Sequence, residues 1–207
     1  MLNSQALTTV ARYKAYAGIS GVTSDSRIEV LINVITDYIE RFCDRRFLQT
    51  VYTSEVYDGQ GSQQLLLKNF PVSTTAAFQM NHRDTYLNEA HWSSVDTNLY
   101  HIDYLAGLVE FIGGWFRKTP RHYQITYTAG YAFDNATPGV TLETLGIGDL
   151  EFACWQLVSN LFKSAGQQTG IQSESIGNYS VTYGSGNALM DDAVKSILMK
   201  YKRPHLM

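Results

Sequence analysis

The hydrophobic pattern of this chain changes period twice. Up to about residue 47 apolar side chains recur at steps of three and four, from Phe47 to about Ala132 they alternate, and from Ile147 the longer step returns. A step of three or four stacks side chains on one face of a helix, whereas alternation puts them on one face of a strand. A first short helix is expected with Thr8 or Thr9 as N-cap, Val10, Tyr13 and Tyr16 on its apolar side and Gly18 as its stop. A longer helix follows GISGVTS. Its start is expected at Ser26, because Ser26 and Glu29 have the spacing of a capping box, worth about 1 kcal/mol. Ile28, Leu31, Ile32, Ile35, Ile39 and Phe42 then form one stripe, with Asp37, Glu40 and Arg41 off it.

In the alternating region VYTSEVY, the turn at Asp58–Gly61 and QQLLL read as a hairpin, and VSTTAAFQM, Leu99–Ile102, GLVEFI and HYQITYTAGYA read as further strands. The aromatic residues here, Trp92 and Trp115 included, are expected to pack on sheet faces. A third helix is signalled by Leu150, Ala153, Cys154, Leu157, Val158 and Leu161 on one face, with Gly166 as its stop. A last helix carries Leu189, Val194, Ile197, Leu198 and Tyr201 and is stopped by Pro204. Between them, Tyr179–Tyr183 alternates large and small side chains with no neighbouring strand to pair with, so its backbone groups call for a distant segment or another chain. The fold class is therefore α+β: a small helical bundle of about four helices (1–47 plus 140–207) with an antiparallel β unit (48–135) inserted between the second and third.

Composition narrows the function more than the fold. With 207 residues, 44% of them hydrophobic, the chain can bury a core, and no window approaches the roughly 20 apolar residues of a spanning helix. Neither a signal peptide nor a membrane partner is expected. Cys43 and Cys154 lack metal or disulfide-framework spacing and read as reduced core residues. A net charge of −3 argues against a dedicated nucleic-acid binder. The charge is uneven, however: Lys163 is the sole base between Asp134 and Asp192, whereas Lys195, Lys200, Lys202 and Arg203 close the chain without an acid.

Catalytic candidates are thin. His82 with Asp84 and His101 with Asp103 are each two residues apart, so on a strand they point in parallel rather than converging, and no third ligand follows at a recognisable spacing. The glycine-rich pieces DGQGSQ and IGGW lack the lysine or helix start of a phosphate cradle, and there is no G-x-S-x-G elbow. Arg117-Lys118-Thr119-Pro120-Arg121 is basic enough to touch a phosphate or an acidic partner, though a solvated loop accounts for it as well. No enzyme, cofactor or metal is expected.

Six segments occur in an order that resembles one family. TTVARYKAYAGI, RIEVLINVITDYIERFCDRRF, YDGQGSQQLLLKNFPV, QITYTAGYA, LEFACWQLVSNLF and SESIGNYSVTY together are similar to the tailed-phage head-to-tail connector proteins, also called adaptor or head-completion proteins. The resemblance covers nearly the whole chain and departs at His82–Tyr100 and Asn135–Gly148. It implies a structural virion protein, assembled in the host cytoplasm, that forms a ring of about twelve copies at the neck. The ring would sit under the portal protein, extend the channel for double-stranded DNA without binding it specifically, and offer a platform to the next tail or head-completion protein. It also implies that Ser175, Ile176, Gly177, Tyr179, Val181 and Tyr183 contact the neighbouring subunit. The tail Lys200, Tyr201, Lys202, Arg203, Pro204, His205, Leu206 and Met207 would dock on the portal, with a basic collar behind an apolar tip. From another class, the aromatic β unit leaves open a carbohydrate- or receptor-binding module.

Overall fold

The structure is a computed structural model that describes residues 1–83, 91–132, 146–164, 173–176, 179–182 and 190–204. In chain order its elements are α1 (Val10–Ala17), α2 (Asp25–Cys43), β1 (Thr50–Gly59), β2 (Gln64–Leu66), β3 (Gln79–Arg83), β4 (Trp92–Ser94), a 3-10 turn (Thr97–Leu99), β5 (Tyr100–Asp103), β6 (Leu108–Phe111), β7 (Thr119–Ala129), α3 (Gly148–Ser164), β8 (Ser173–Ile176), β9 (Tyr179–Thr182) and α4 (Asp192–Tyr201). Paired strands run antiparallel throughout, so the class is α+β. Contacts divide the chain into a helical unit, Met1–Cys43 with Asp134–Lys202, and a β unit, Asp44–Phe133 with Arg203–Met207.

In the helical unit, α1 begins where Thr9 accepts the Arg12 amide with its hydroxyl and ends where Gly18 turns left-handed at φ 65°. The α2 helix is capped two residues before the expected position. The Ser24 carbonyl accepts the Ile28 amide at 2.9 Å, which makes Ser24 the cap and puts Ser26 inside the first turn. Glu29 is thereby released from the capping box and takes the N-terminal ammonium at 3.2 Å instead. The buried face of α2 is Ile28, Ile32, Ile35, Thr36, Ile39 and Cys43. It packs on α3 through Leu150, Ala153, Cys154, Leu157 and Val158, and on α4 through Val194 and Leu198. Each isoleucine buried this completely stabilises the unit by roughly 1.5–3 kcal/mol. Cys43 and Cys154 are buried thiols, as expected, and burial pushes the Cys154 thiol pKa up, keeping it protonated and inert.

The β unit holds two sheets, β1-β7-β3-β4 and β2-β6-β5. Their inner faces meet in one core that includes Tyr57, Met80, Ile125 and Tyr127 from the first sheet and Leu65, Ile102 and Val109 from the second. Most aromatics do pack here: Phe116 lies between Phe111 at 4.5 Å and Tyr123 at 5.0 Å. The expected hairpin does not form. β1 pairs with β7 and β2 with β6, because the chain after Gly114 enters the turn and takes its backbone groups. The Gly61 amide donates to Phe116 O at 2.8 Å and the Phe116 amide to Ser62 O at 2.7 Å. Gly59 permits that approach, since a Cβ there would lie 1.8 Å from Arg117 O.

A second correction concerns the strand expected to lack a local partner. Tyr179–Thr182 pairs with Ser173–Ile176 in a two-stranded antiparallel sheet, with Val181 opposite Glu174 and Tyr179 opposite Ile176. The first half of SESIGNYSVTY carries too few apolar residues to read as a strand, yet backbone pairing needs none.

Candidate functional site

The two candidate histidines lie on different sheets, His82 on β3 and His101 on β5. His82 lies on β3 with its ring 6.3 Å from that of His122, while Asp84 falls outside the described residues. Burial, then His82, Arg117 and Arg83, lower the His122 pKa, which favours its neutral imidazole. His101 and Asp103 share the exposed face of β5, and Asp103 closes a turn by accepting the Leu105 and Ala106 amides, both at 3.0 Å. No group of three metal-ligating side chains occurs among the described residues.

Two polar clusters, one buried and one half-buried, escaped the sequence reading. In the helical unit Glu151, on α3, has a side chain only 1% exposed. It accepts Thr8 Oγ1 at 2.7 Å, Arg12 Nε at 2.7 Å and Arg12 Nη2 at 2.8 Å. Trp155 Nε1 donates to Thr8 Oγ1 at 2.8 Å and its ring stacks on Tyr16 at 5.0 Å. The cluster thus ties the N-terminal segment to α3. In the β unit Glu55 accepts the Tyr127 hydroxyl at 2.8 Å and the Tyr57 hydroxyl at 2.5 Å, with Lys68 Nζ 3.2 Å away on its other oxygen. Burial above all, with the Glu55 carboxylate adding to it and Tyr127 adding at Tyr57, raises both tyrosine pKa values well above the ordinary range, so neither can act as a base at neutral pH. Both clusters are structural ties.

Between the outer edges of β1 and β2 lies a cavity of 340 Å³, walled by Tyr57, Asp58, Gln64, Lys68, Arg203 and Pro204. Residues 200–203 each make a contact within the chain. Lys200 Nζ lies 3.4 Å from Asp149, the Tyr201 hydroxyl donates to the same carboxylate, Lys202 Nζ sits 5.8 Å from the Phe42 ring centroid, and Arg203 pairs with Asp44 at 3.6 Å. The helix stops before Pro204 as expected, with Lys202 as its C-cap, while His205, Leu206 and Met207 fall outside the described residues. Of the strand residues, Ser175, Ile176, Tyr179 and Val181 lie in β8 and β9, and Gly177 and Tyr183 fall outside. Trp115 also departs from expectation: it is 70% exposed, three residues after exposed Ile112, whereas Trp92 is half-buried with Arg83 above its ring at 5.4 Å. The doubled glycine before Trp115 and the basic run after it were the signal that it belongs to a loop.

The fold is similar to that of proteins in three reconstructions of a gene transfer agent particle. These are the neck of the empty particle computed with C6 symmetry (TM-score 0.59, 14% identity), the neck of the native particle computed with C12 symmetry (TM-score 0.54, 13% identity) and the virion of the native particle (TM-score 0.52, 14% identity). Each likeness covers 100% of this chain and 94% of the other. The family model for head completion proteins matches residues 6–204, and the chain belongs to that family. No curated protein matches it.

Proposed function

We propose that the protein is a structural head-to-tail connector of the virion neck, forming a ring under the portal, extending the DNA channel and carrying the next tail component. The observation that carries this reading is the head completion family match over residues 6–204. A ring of twelve is supported by the C12 symmetry of a neck that contains a similarly folded protein, and closed rings of identical subunits need only one repeated head-to-tail contact. A net charge of −3 suits a channel through which DNA slides without adhering.

Within this reading residues 1–47 and 140–207 are the ring-forming core, and 48–135 the part that meets other components. Ser175, Ile176, Gly177, Tyr179, Val181 and Tyr183 make the subunit contact. Their two-stranded sheet supports this role, because an isolated pair of strands is marginal in water and each leaves one edge unpaired among the described residues. Residues 200–207 dock on the portal, the cations meeting acidic side chains and Leu206 and Met207 entering a groove. Mass measurement of the protein alone and on portal-bearing heads tests the proposal. A closed ring on heads is expected, whereas a monomer that never adds to heads would overturn it.

A further inference from the structure

At one end of the three-stranded sheet, and in the loop that follows it, the β unit exposes three large apolar side chains. Trp115, Ile112 and Leu99 are 70%, 61% and 49% exposed. The Ile112 amide donates to Leu99 O at 2.8 Å, which holds these two side by side, and Trp115 follows Ile112 after two glycines. The loop that carries the indole is fixed on both sides. Phe116, the next residue, is fully buried and its backbone is bonded to Gly61 and Ser62, and the Arg117 amide donates to the Tyr123 hydroxyl at 2.8 Å. A large aromatic displayed on a clamped loop loses little entropy when it is covered, which is the physical profile of an interface hot spot. Its flank is basic. Arg117, Lys118 and Arg121 follow within six positions of Trp115, all three are exposed, and no ion pair joins any of them to a carboxylate among the described residues.

We propose that this spot is the docking epitope for the protein that follows in the neck, and that its occupant offers an apolar pocket for the Trp115 indole rimmed by carboxylates for Arg117, Lys118 and Arg121. The inference rests on the connector reading and adds to it which face carries the next component. Charge complementarity selects the occupant: a chain whose net charge is −3 keeps three cations, without an ion pair among the described residues, within six positions of its most exposed tryptophan. DNA is the poorer fit, since phosphates would meet the cations but leave Leu99, Ile112 and Trp115 in water.

The test uses purified tailless heads, purified tails, a short DNA duplex and the full chain in four forms: wild type, Trp115→Ser, Ile112→Ser, and Arg117→Glu with Lys118→Glu. Sedimentation reads addition to heads, and electron microscopy counts tailed particles. All four forms should add equally to heads, while Trp115→Ser and Ile112→Ser cut tailed particles by about ten-fold or more. The charge reversal should slow tail joining most at low salt. Tailed particles within about two-fold of wild type for both serine variants would overturn the inference. So would loss of head addition or self-association in those variants, which would assign the spot to the portal or to a second copy. Duplex binding abolished by the charge reversal with normal tail joining would assign it to DNA and overturn the inference as well. Failure of the wild-type protein itself to add to heads would instead sink the connector reading.

Discussion

Replacing Glu151 with alanine removes an acceptor on which three donors converge, and the cost can be worked from its surroundings. The carboxylate is 1% exposed and Arg12 31% exposed, so the variant takes this acceptor from a hydroxyl in the core and this bidentate contact from a partly exposed guanidinium. Breaking a buried pair by deleting one partner costs about 3–5 kcal/mol. Because Arg12 can rehydrate over about a third of its surface, the low end applies, about 3 kcal/mol. For a chain of this size that lowers the melting temperature by roughly 6–12 °C. Urea unfolding followed by circular dichroism and by tryptophan fluorescence reads the change directly, since Trp155 donates to Thr8 inside the same cluster. A double-mutant cycle with Arg12→Ala isolates the pair and should give a coupling above about 1 kcal/mol. A Glu151→Ala variant within about 1 kcal/mol of wild type would show that the cluster is not what ties the N-terminal segment down.

Other outcomes follow from the same contacts. Tyr57 and Tyr127 have pKa values raised above the ordinary 10.0, so the folded state holds protons that the unfolded chain releases. Their stabilisation is therefore complete below pH 10 and is lost as pH rises above it; absorbance at about 295 nm should show both titrating only as the β unit unfolds, and titration of the intact fold near pH 10 would contradict this. Val181→Pro removes a strand amide opposite Glu174 and should abolish ring formation on portals while the helical dichroism stays unchanged; normal assembly would remove this strand from the subunit contact. Deleting 204–207 should leave the fold intact and speed release from the portal, measured as a dissociation rate, and an unchanged rate would exclude the tail as the anchor.

The helices were legible because each buries one stripe, and the stripe repeats within a single segment: Ile28, Ile32, Ile35 and Ile39 announce α2 without reference to any other residue. Strand pairing was not, because it is decided by partners far along the chain. Nothing within VYTSEVYDGQGSQQLLL says that β1 belongs with residues 119–129, or that Phe116 will fill the turn. The strand β4 was missed because three residues cannot display a period. Glu151 was read past for a related reason. It borders the apolar face of α3 beside Leu150 and Cys154, where a carboxylate is stable only with donors supplied by Thr8 and Arg12, more than a hundred residues earlier. The assembly surfaces were least legible, since exposure is a property of the folded surface: Trp115 and Trp92 look alike in the sequence and differ in what covers them.

The pairing of β1 with β7 also fixes an order of events during synthesis. Thr50 sits opposite Ala129, so the four-stranded sheet cannot close until residue 129 has left the ribosome. α2, made earlier, waits longer still, because its packing partners α3 and α4 begin only at Gly148 and Asp192. At translation rates of about 5–20 residues per second, its isoleucine face stays uncovered for on the order of 5–20 s, while the β unit downstream closes first. The nascent chain therefore passes through an interval in which an apolar helix made early is unprotected, and it is there, rather than in the finished protein, that fast expression invites aggregation.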